Sequence, residues 1–149
     1  MYHKILVPVD GSAASMRGVS EAIKLAKSHG SQVQLVHVVN ETTLAMTEAP
    51  IEYLAKVVDA MRGEGNAILA SAQRALRDQA LEGQSVLLEA VGGRAADRIV
   101  EQAKAWNADL IVMGTHGRRG LLHLALGSDA ERVVRLAPVP VLLVRADVP

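Results

Sequence analysis

The chain has 149 residues, half of them hydrophobic, and this length is typical of one domain with a buried core. Its 16 basic and 16 acidic side chains give no net charge, and no basic patch is interleaved with aromatic residues, so binding to nucleic acid or to an anionic membrane is not expected. The absence of cysteine excludes disulfides and thiolate metal sites and suits a reducing compartment.

The amino terminus enters a predicted strand directly and leaves no room for a signal peptide. No apolar run approaches the ~20 residues that a membrane helix requires. We therefore expect a cytoplasmic protein that does not span a membrane.

Strand and helix patterns alternate along the chain, which is typical of a parallel sheet covered by helices. The first strand is predicted at 4–9, where the run Ile-Leu-Val at 5–7 is apolar on both faces, as in a central strand. Ser12 is predicted to cap the helix that follows, and Gly30 to end it.

A second strand is predicted at 32–39, followed by a polar connection at 40–50 without clear periodicity. Helical periodicity then extends from 51 to 80. Because Gly63 and Gly65 each weaken a helix interior by roughly 1 kcal/mol, a break or bend is expected there. The remaining elements are predicted as a strand at 85–91, a helix at 95–106, a strand at 110–113, a helix at 130–136 and a strand at 139–144.

The most informative segment follows the fourth strand and reads M-G-T-H-G-R-R-G-L-L-H-L-A-L-G-S-D at 113–129. A strand that leads through a glycine-rich loop into a helix commonly binds phosphate, because glycine allows close backbone approach and the helix start offers free N–H groups. No Gly-Lys-Ser or Gly-Lys-Thr is present, and no G-x-G-x-x-G follows the first strand, so the segment is neither a P-loop nor a dinucleotide fingerprint. Its pattern is Gly114-x2-Gly117-x9-Gly127-Ser128.

This spacing, together with V-P-V-D-G-S at 7–12, resembles the ATP-binding signature of the universal stress protein family, and the resemblance extends along nearly the whole chain. It implies an α/β fold with a single doubly wound, open parallel sheet of five strands in the order 3-2-1-4-5 and helices on both faces (the adenine-nucleotide alpha-hydrolase-like fold). Residues 1–149 would then form one universal stress protein domain. Ligands in such sheets bind at the topological switch, here between strands one and four.

Three candidate nucleotide contacts come from the first two strands. Asp10 can accept hydrogen bonds from ribose hydroxyls, although a turn or capping role is an equal explanation from sequence alone, and the resemblance favours ligand contact. Pro8 either contacts the ligand or only ends its strand. In the family, main-chain groups just after a histidine of the second strand bind the adenine edge, and Val38 after His37 occupies that position.

The loop and the last helix are predicted to bind the phosphates. The two arginines of the loop could instead be ordinary solvent-exposed side chains, and Ser128 could be an ordinary N-cap. Asp129 could interact favourably with the helix dipole or ligate a divalent ion that bridges the phosphates. The candidate residues are Met113, Gly114, Thr115, Gly117, Arg118, Arg119, Gly127, Ser128 and Asp129.

No catalytic residue and no protein metal site is predicted. The histidines show no ligand spacing for zinc, no serine stands in a nucleophile elbow, and no paired carboxylates stand out. His116 and His123 flank the loop, where packing and solvent exposure are the ordinary roles and general acid or base work is the alternative.

The resemblance implies a protein that binds ATP (or AMP), with Mg²⁺ held through the phosphates, and regulates an unidentified protein partner such as a transporter or enzyme in the stress response. The alternative is a slow ATPase or an adenylyl-transferring enzyme of the same fold. Such transferases carry H-x-G-H or S-G-G-x-D-S after strand one, whereas this chain has V-D-G-S-A-A-S. A relative that has lost nucleotide binding is disfavoured because all three motif glycines are intact.

A homodimer is expected through the fifth strand, which is predicted to begin at Val139 and end at Val144. This apolar strand would form an exposed sheet edge in a monomer, and such edges pair readily with a second chain. The family's dimers use this strand, and larger assemblies are open. The alternative is an edge covered by the tail at 145–149.

Overall fold

A single parallel sheet organises the chain in a computed structural model, which describes residues 1–116 and 126–146. The strands lie in the order β3-β2-β1-β4-β5, and every neighbouring pair is parallel. The predicted fold class and strand order are therefore confirmed. The strands are β1 (Lys4–Pro8), β2 (Gln32–Asn40), β3 (Gly83–Ala90), β4 (Leu110–Gly114) and β5 (Val141–Val144).

Helices cover both faces of the sheet. Ile5 and Val7 of β1 point into a core shared with α1 and α2, whereas Leu6 points into a core shared with α3 and α4. Burial on both faces explains the continuous apolar run of this central strand. The helices are α1 (Ala13–His29), α2 (Ile51–Arg77), α3 (Ala95–Trp106) and α4 (Ser128–Leu136), and a short 3₁₀ turn at Leu44–Met46 lies in the connection before α2.

The ends of α1 follow the predicted signals. Ser12 caps the helix, its Oγ accepting the N–H of Ser15 at 3.2 Å. Gly30 ends it in the left-handed conformation with φ +69°, which glycine adopts without strain. The predicted start of the fifth strand is wrong by two residues: β5 begins at Val141, directly after Pro140, which has no N–H to extend the ladder.

The break expected within α2 is wrong, because the helix runs unbroken past both glycines. Gly63 is exposed and a Cβ there would meet nothing within 4 Å. Gly65 is buried, and a Cβ there would lie 2.6 Å from Cδ2 of His37 and 2.8 Å from Cδ1 of Leu87. Gly65 thus permits close packing of α2 on β2 and β3, and this tertiary packing outweighs low helix propensity.

The helices are amphipathic, with charged side chains on their outer faces. α2, the longest at 27 residues, carries Glu52, Lys56 and Asp59 at exposed positions. Within residues 1–116 and 126–146, no helix combines the length and the apolar character needed to cross a lipid bilayer.

Candidate functional site

A crevice opens at the carboxyl ends of β1 and β4. The two strands pair only where Ile5 lies beside Leu110 and Leu6 beside Ile111. Beyond these pairs, β1 leads into α1 on one face of the sheet, whereas β4 leads towards α4 on the other. The strand order therefore reverses between these two parallel strands, and open α/β sheets bind ligands at such a point.

A tight turn after β1 forms one side of the crevice. Oδ1 of Asp10 accepts the N–H of Ser12 at 2.9 Å, and Gly11 between them has φ +82°. The turn role considered for Asp10 is thus present. A carboxylate offers about four acceptor positions, so this role is compatible with a ligand contact.

The first residues after β4 form the opposite side. Thr115 is buried; its N–H binds the carbonyl of Val144 at 2.9 Å, and its own carbonyl accepts the N–H of Gly127 at 2.7 Å. Ser12 Oγ donates to the carbonyl of His116 at 3.4 Å and so joins the two sides of the crevice. Thr115 Oγ1 lies 2.9 Å from Nδ1 of His116, in keeping with a packing role for this histidine.

Gly114 lies against the first turn of α1. A Cβ on Gly114 would be 2.7 Å from the carbonyl carbon of Ala14 and 2.8 Å from the nitrogen of Ser15. Close packing of strand and helix therefore demands glycine here, whatever its contact with phosphate. The side chain of Met113 is buried in the core beneath α3 and α4, so only its main chain is available to a ligand.

The main chain of Val38 faces the crevice. Val36 accepts the N–H of Val9 at 2.8 Å, so the main-chain groups of Val36 point towards β1. Alternate residues of a parallel strand point to the same neighbour, so those of Val38 point the same way. Because Pro8, the last residue of β1, pairs with Val36, Val38 extends beyond β1. Pro8 ends its strand, as one of its two interpretations predicted.

The start of α4 supplies main-chain donors. Gly127 is the N-cap residue and makes no side-chain cap bond, so the ordinary N-cap interpretation of Ser128 is wrong: Ser128 is the first residue within the helix. The N–H of Glu131 binds the carbonyl of Gly127 at 2.9 Å and begins the helical series. The preceding N–H groups, including those of Ser128 and Asp129, have no intrahelical acceptor and can bind an anion.

An ion pair anchors α4 on α3. Arg132 donates to both carboxylate oxygens of Asp97, at 2.8 and 3.3 Å. The hydrogen bond from Arg132 lowers the pKa of the Asp97 carboxyl below its usual value. Asp97 lies in the first turn of α3 and Arg132 in the middle of α4, so the pair ties α4 to the start of α3.

Two residues of the site escape prediction from the sequence. Ser15 Oγ accepts the N–H of Asp10 at 3.3 Å and donates to the carbonyl of Ser12 at 3.1 Å. Nothing in the sequence distinguishes it from other polar residues at a helix start. His37 Nδ1 lies 2.7 Å from the carbonyl oxygen of Val9. The sequence signal that could have indicated a role for His37 is its position between apolar residues of a predicted strand.

Within the part of the chain that the structure describes, no group of three or more histidines and carboxylates is placed to hold a metal ion.

The candidate residues fall into two groups, those outside the described residues and those at one edge of the sheet. Gly117, Arg118 and Arg119 lie outside the described residues, as does His123. At the carboxyl edge of the sheet the structure brings together Pro8, Asp10, Val38, Met113, Gly114, Thr115, Gly127, Ser128 and Asp129.

Comparisons with known proteins agree with this architecture. Residues 1–145 match the sequence profile of the universal stress protein family. Universal stress protein MJ0531 of Methanocaldococcus jannaschii is 34% identical over 145 residues, which cover 97% of this chain and 83% of that protein. The structure of the universal stress protein UspA from Lactobacillus plantarum is similar with a TM-score of 0.83 at 26% identity, covering 97% and 98% of the two chains. A universal stress protein from Archaeoglobus fulgidus in complex with dAMP is similar with a TM-score of 0.68 at 27% identity, covering 96% and 98%.

Proposed function

Since the chain belongs to the universal stress protein family, we propose that it binds an adenine nucleotide, ATP or AMP, in the crevice between β1 and β4. The observation that carries this proposal is the convergence of three recognition elements on one sheet edge. The main chain of Val38 is suited to the adenine edge, the carboxylate of Asp10 to the ribose, and the start of α4 at Gly127 to the phosphates. The complex of the Archaeoglobus fulgidus relative with dAMP supports binding of the adenine, sugar and first phosphate of such a nucleotide.

ATP adds two phosphates, and the sequence predicts the segment between Thr115 and Gly127 as their binding partner. Mg²⁺ would be held mainly through these phosphates, with Asp129 in the exposed first turn of α4 as a candidate ligand. The main-chain N–H groups of Thr115 and Gly127 already bind carbonyl groups, whereas those of Ser128 and Asp129 have no intrahelical acceptor and are suited to the phosphates.

In this proposal the nucleotide is a signal, and the protein is a cytoplasmic regulatory module whose nucleotide state is read by a protein partner, such as a transporter or enzyme, in the stress response. The alternative is slow ATP hydrolysis through positioning and a bound metal ion. Binding without turnover distinguishes the module from the enzyme.

Calorimetric titration of the purified protein should give saturable binding of AMP and ATP near one nucleotide per chain, and Mg²⁺ should strengthen binding of ATP but not of AMP. GTP should bind much more weakly, because a main-chain donor and acceptor at Val38 match the edge of adenine and not that of guanine. Phosphate release from ATP, followed in parallel, should stay at the background rate.

An absence of binding for every adenine nucleotide would refute the proposed function. Steady phosphate release that disappears in a Ser128→Val variant would instead favour the ATPase.

We also propose a homodimer, or a larger assembly built from it, through the outer edge of β5. Within the described part of the chain β5 pairs only with β4, and Leu142 is 40% exposed. The N–H of Thr115 binds the carbonyl of Val144, and the N–H of Ile111 binds the carbonyl of Pro140. In β5, the main-chain groups of the even-numbered residues therefore point to β4, and those of the odd-numbered residues point to the open edge. The open edge thus presents the N–H groups of Val141 and Leu143.

Sedimentation velocity should show the wild-type protein as a dimer and a Val141→Pro variant as a monomer, because proline removes an outward N–H without removing a bond to β4. A Val141→Thr variant, which keeps that N–H and a β-branched side chain, is the control and should remain dimeric. A wild-type monomer, or a Val141→Pro dimer of unchanged stability, would contradict pairing through β5.

A further inference from the structure

We propose that His37 is a positioning residue for the nucleotide site and that it transmits the position of α2 to the crevice. This inference rests on the proposed nucleotide binding. His37 precedes Val38 on β2, and its ring reaches Val9, which precedes Asp10 on β1. The imidazole thus connects the two strands at the point where each presents a group to the adenosine half of the nucleotide.

The hydrogen bond of His37 extends the sheet beyond its last main-chain bond. The N–H of Val9 donates to Val36 at 2.8 Å, and the carbonyl of Val9 lies 2.7 Å from Nδ1 of His37. Because a carbonyl oxygen only accepts hydrogen bonds, Nδ1 carries the proton. Val9 is therefore held at both main-chain groups immediately before the chain leaves the sheet. Its fixation sets the distance between the carboxylate of Asp10 and the main chain of Val38.

The opposite side of the ring is covered by α2. A Cβ on Gly65 would lie 2.6 Å from Cδ2 and 3.2 Å from Nε2 of His37, so the helix backbone rests directly on the imidazole. The ring is held between α2 and the carbonyl of Val9. A displacement of α2 therefore moves the ring and, through it, the end of β1. By thermodynamic linkage, a nucleotide that fixes the end of β1 also stabilises α2 in this position.

Two amide variants test the hydrogen bond separately from the packing of the ring. His37→Asn places its Nδ2 where Nδ1 lies, whereas His37→Gln places its amide nitrogen near the position of Nε2. Both lose the ring, but only asparagine keeps the donor to Val9. Because one hydrogen bond is at stake, we expect about tenfold weaker binding for His37→Gln and no more than about threefold for His37→Asn. The affinities for AMP and for ATP should fall by the same factor, because His37 acts on the groups that contact the adenosine half, which both nucleotides share.

A second pair tests transmission from α2. Gly65→Ala forces the ring aside and should weaken AMP binding, although Gly65 lies outside the crevice. Gly63→Ala is the matched control, since it makes the same change on the same helix at a position where the added methyl meets nothing within 4 Å. It should bind AMP as the wild type does.

Hydrogen–deuterium exchange without nucleotide distinguishes failure of this inference from failure of the proposed function. Faster exchange of the Asp10 and Ser12 amides in His37→Gln than in His37→Asn would support the positioning role even if the wild type bound no nucleotide. Equal exchange in the two variants, equal loss of affinity in both, or wild-type affinity in Gly65→Ala would overturn it.

Discussion

Replacing Gly114 with alanine should lower the free energy of unfolding by about 1–3 kcal/mol, and replacing it with valine should lower it further. The new Cβ would lie 2.7 Å from the carbonyl carbon of Ala14 and 2.8 Å from the nitrogen of Ser15. These are backbone atoms of the first turn of α1, which cannot rotate away as a flexible side chain could. Urea unfolding followed by circular dichroism measures the effect.

Gly18→Ala is the control for this prediction. A Cβ at Gly18 would lie 3.6 Å from the nitrogen of Gly114, an ordinary contact on the same interface. Alanine also favours a helix interior over glycine by about 1 kcal/mol, so stability should be maintained or raised. A Gly114→Ala protein as stable as the wild type would contradict the close packing of α1 on β4. Until stability is measured, lost nucleotide binding in a Gly114 variant cannot be attributed to the phosphates.

Asp10→Ala should weaken AMP and ATP binding by about 10- to 100-fold, the range expected for a lost hydrogen bond to a charged group. The change also removes the acceptor for the N–H of Ser12, which now receives that bond at 2.9 Å. Calorimetric titration with each nucleotide measures the affinity, and thermal unfolding measures the contribution of the turn.

Asp10→Asn separates the two roles of this residue, because its amide oxygen can still accept the N–H of Ser12. We expect near wild-type stability with a smaller but measurable loss of affinity, since the carboxylate charge is gone. If both variants bound AMP as tightly as the wild type, Asp10 would be a turn residue alone.

Local chemistry made part of the fold predictable. The ends of α1 follow from Ser12 and Gly30, whose capping roles depend on a few neighbouring residues, and the bounds of α3 agree with the predicted 95–106. The strand order followed from the family resemblance, because periodicity identifies strands without saying which of them are neighbours.

Errors arose where distant residues determine the role of a glycine. Gly65 reads as a helix breaker because a single sequence does not show that His37 and Leu87 lie beneath it. Gly114 is a different case: its predicted phosphate contact stays a prediction, and the sequence misses only its packing against Ala14, which belongs to a distant part of the chain. In the site, the role of Val38 is predicted by analogy with the family, whereas the hydrogen bond between His37 and Val9 joins residues that a single sequence does not place together.

The hydrogen bond from the N–H of Gly127 to the carbonyl of Thr115 holds together the two ends of the segment between these residues. This hydrogen bond joins two main-chain atoms, so it does not depend on the side chains at 117–125. It is also only weakly sensitive to loop length, since doubling a loop costs about 0.6 kcal/mol. We therefore expect β4 and α4 to keep their places when this segment is replaced or lengthened. Ligand preference and fold stability can thus evolve separately at this edge of the sheet.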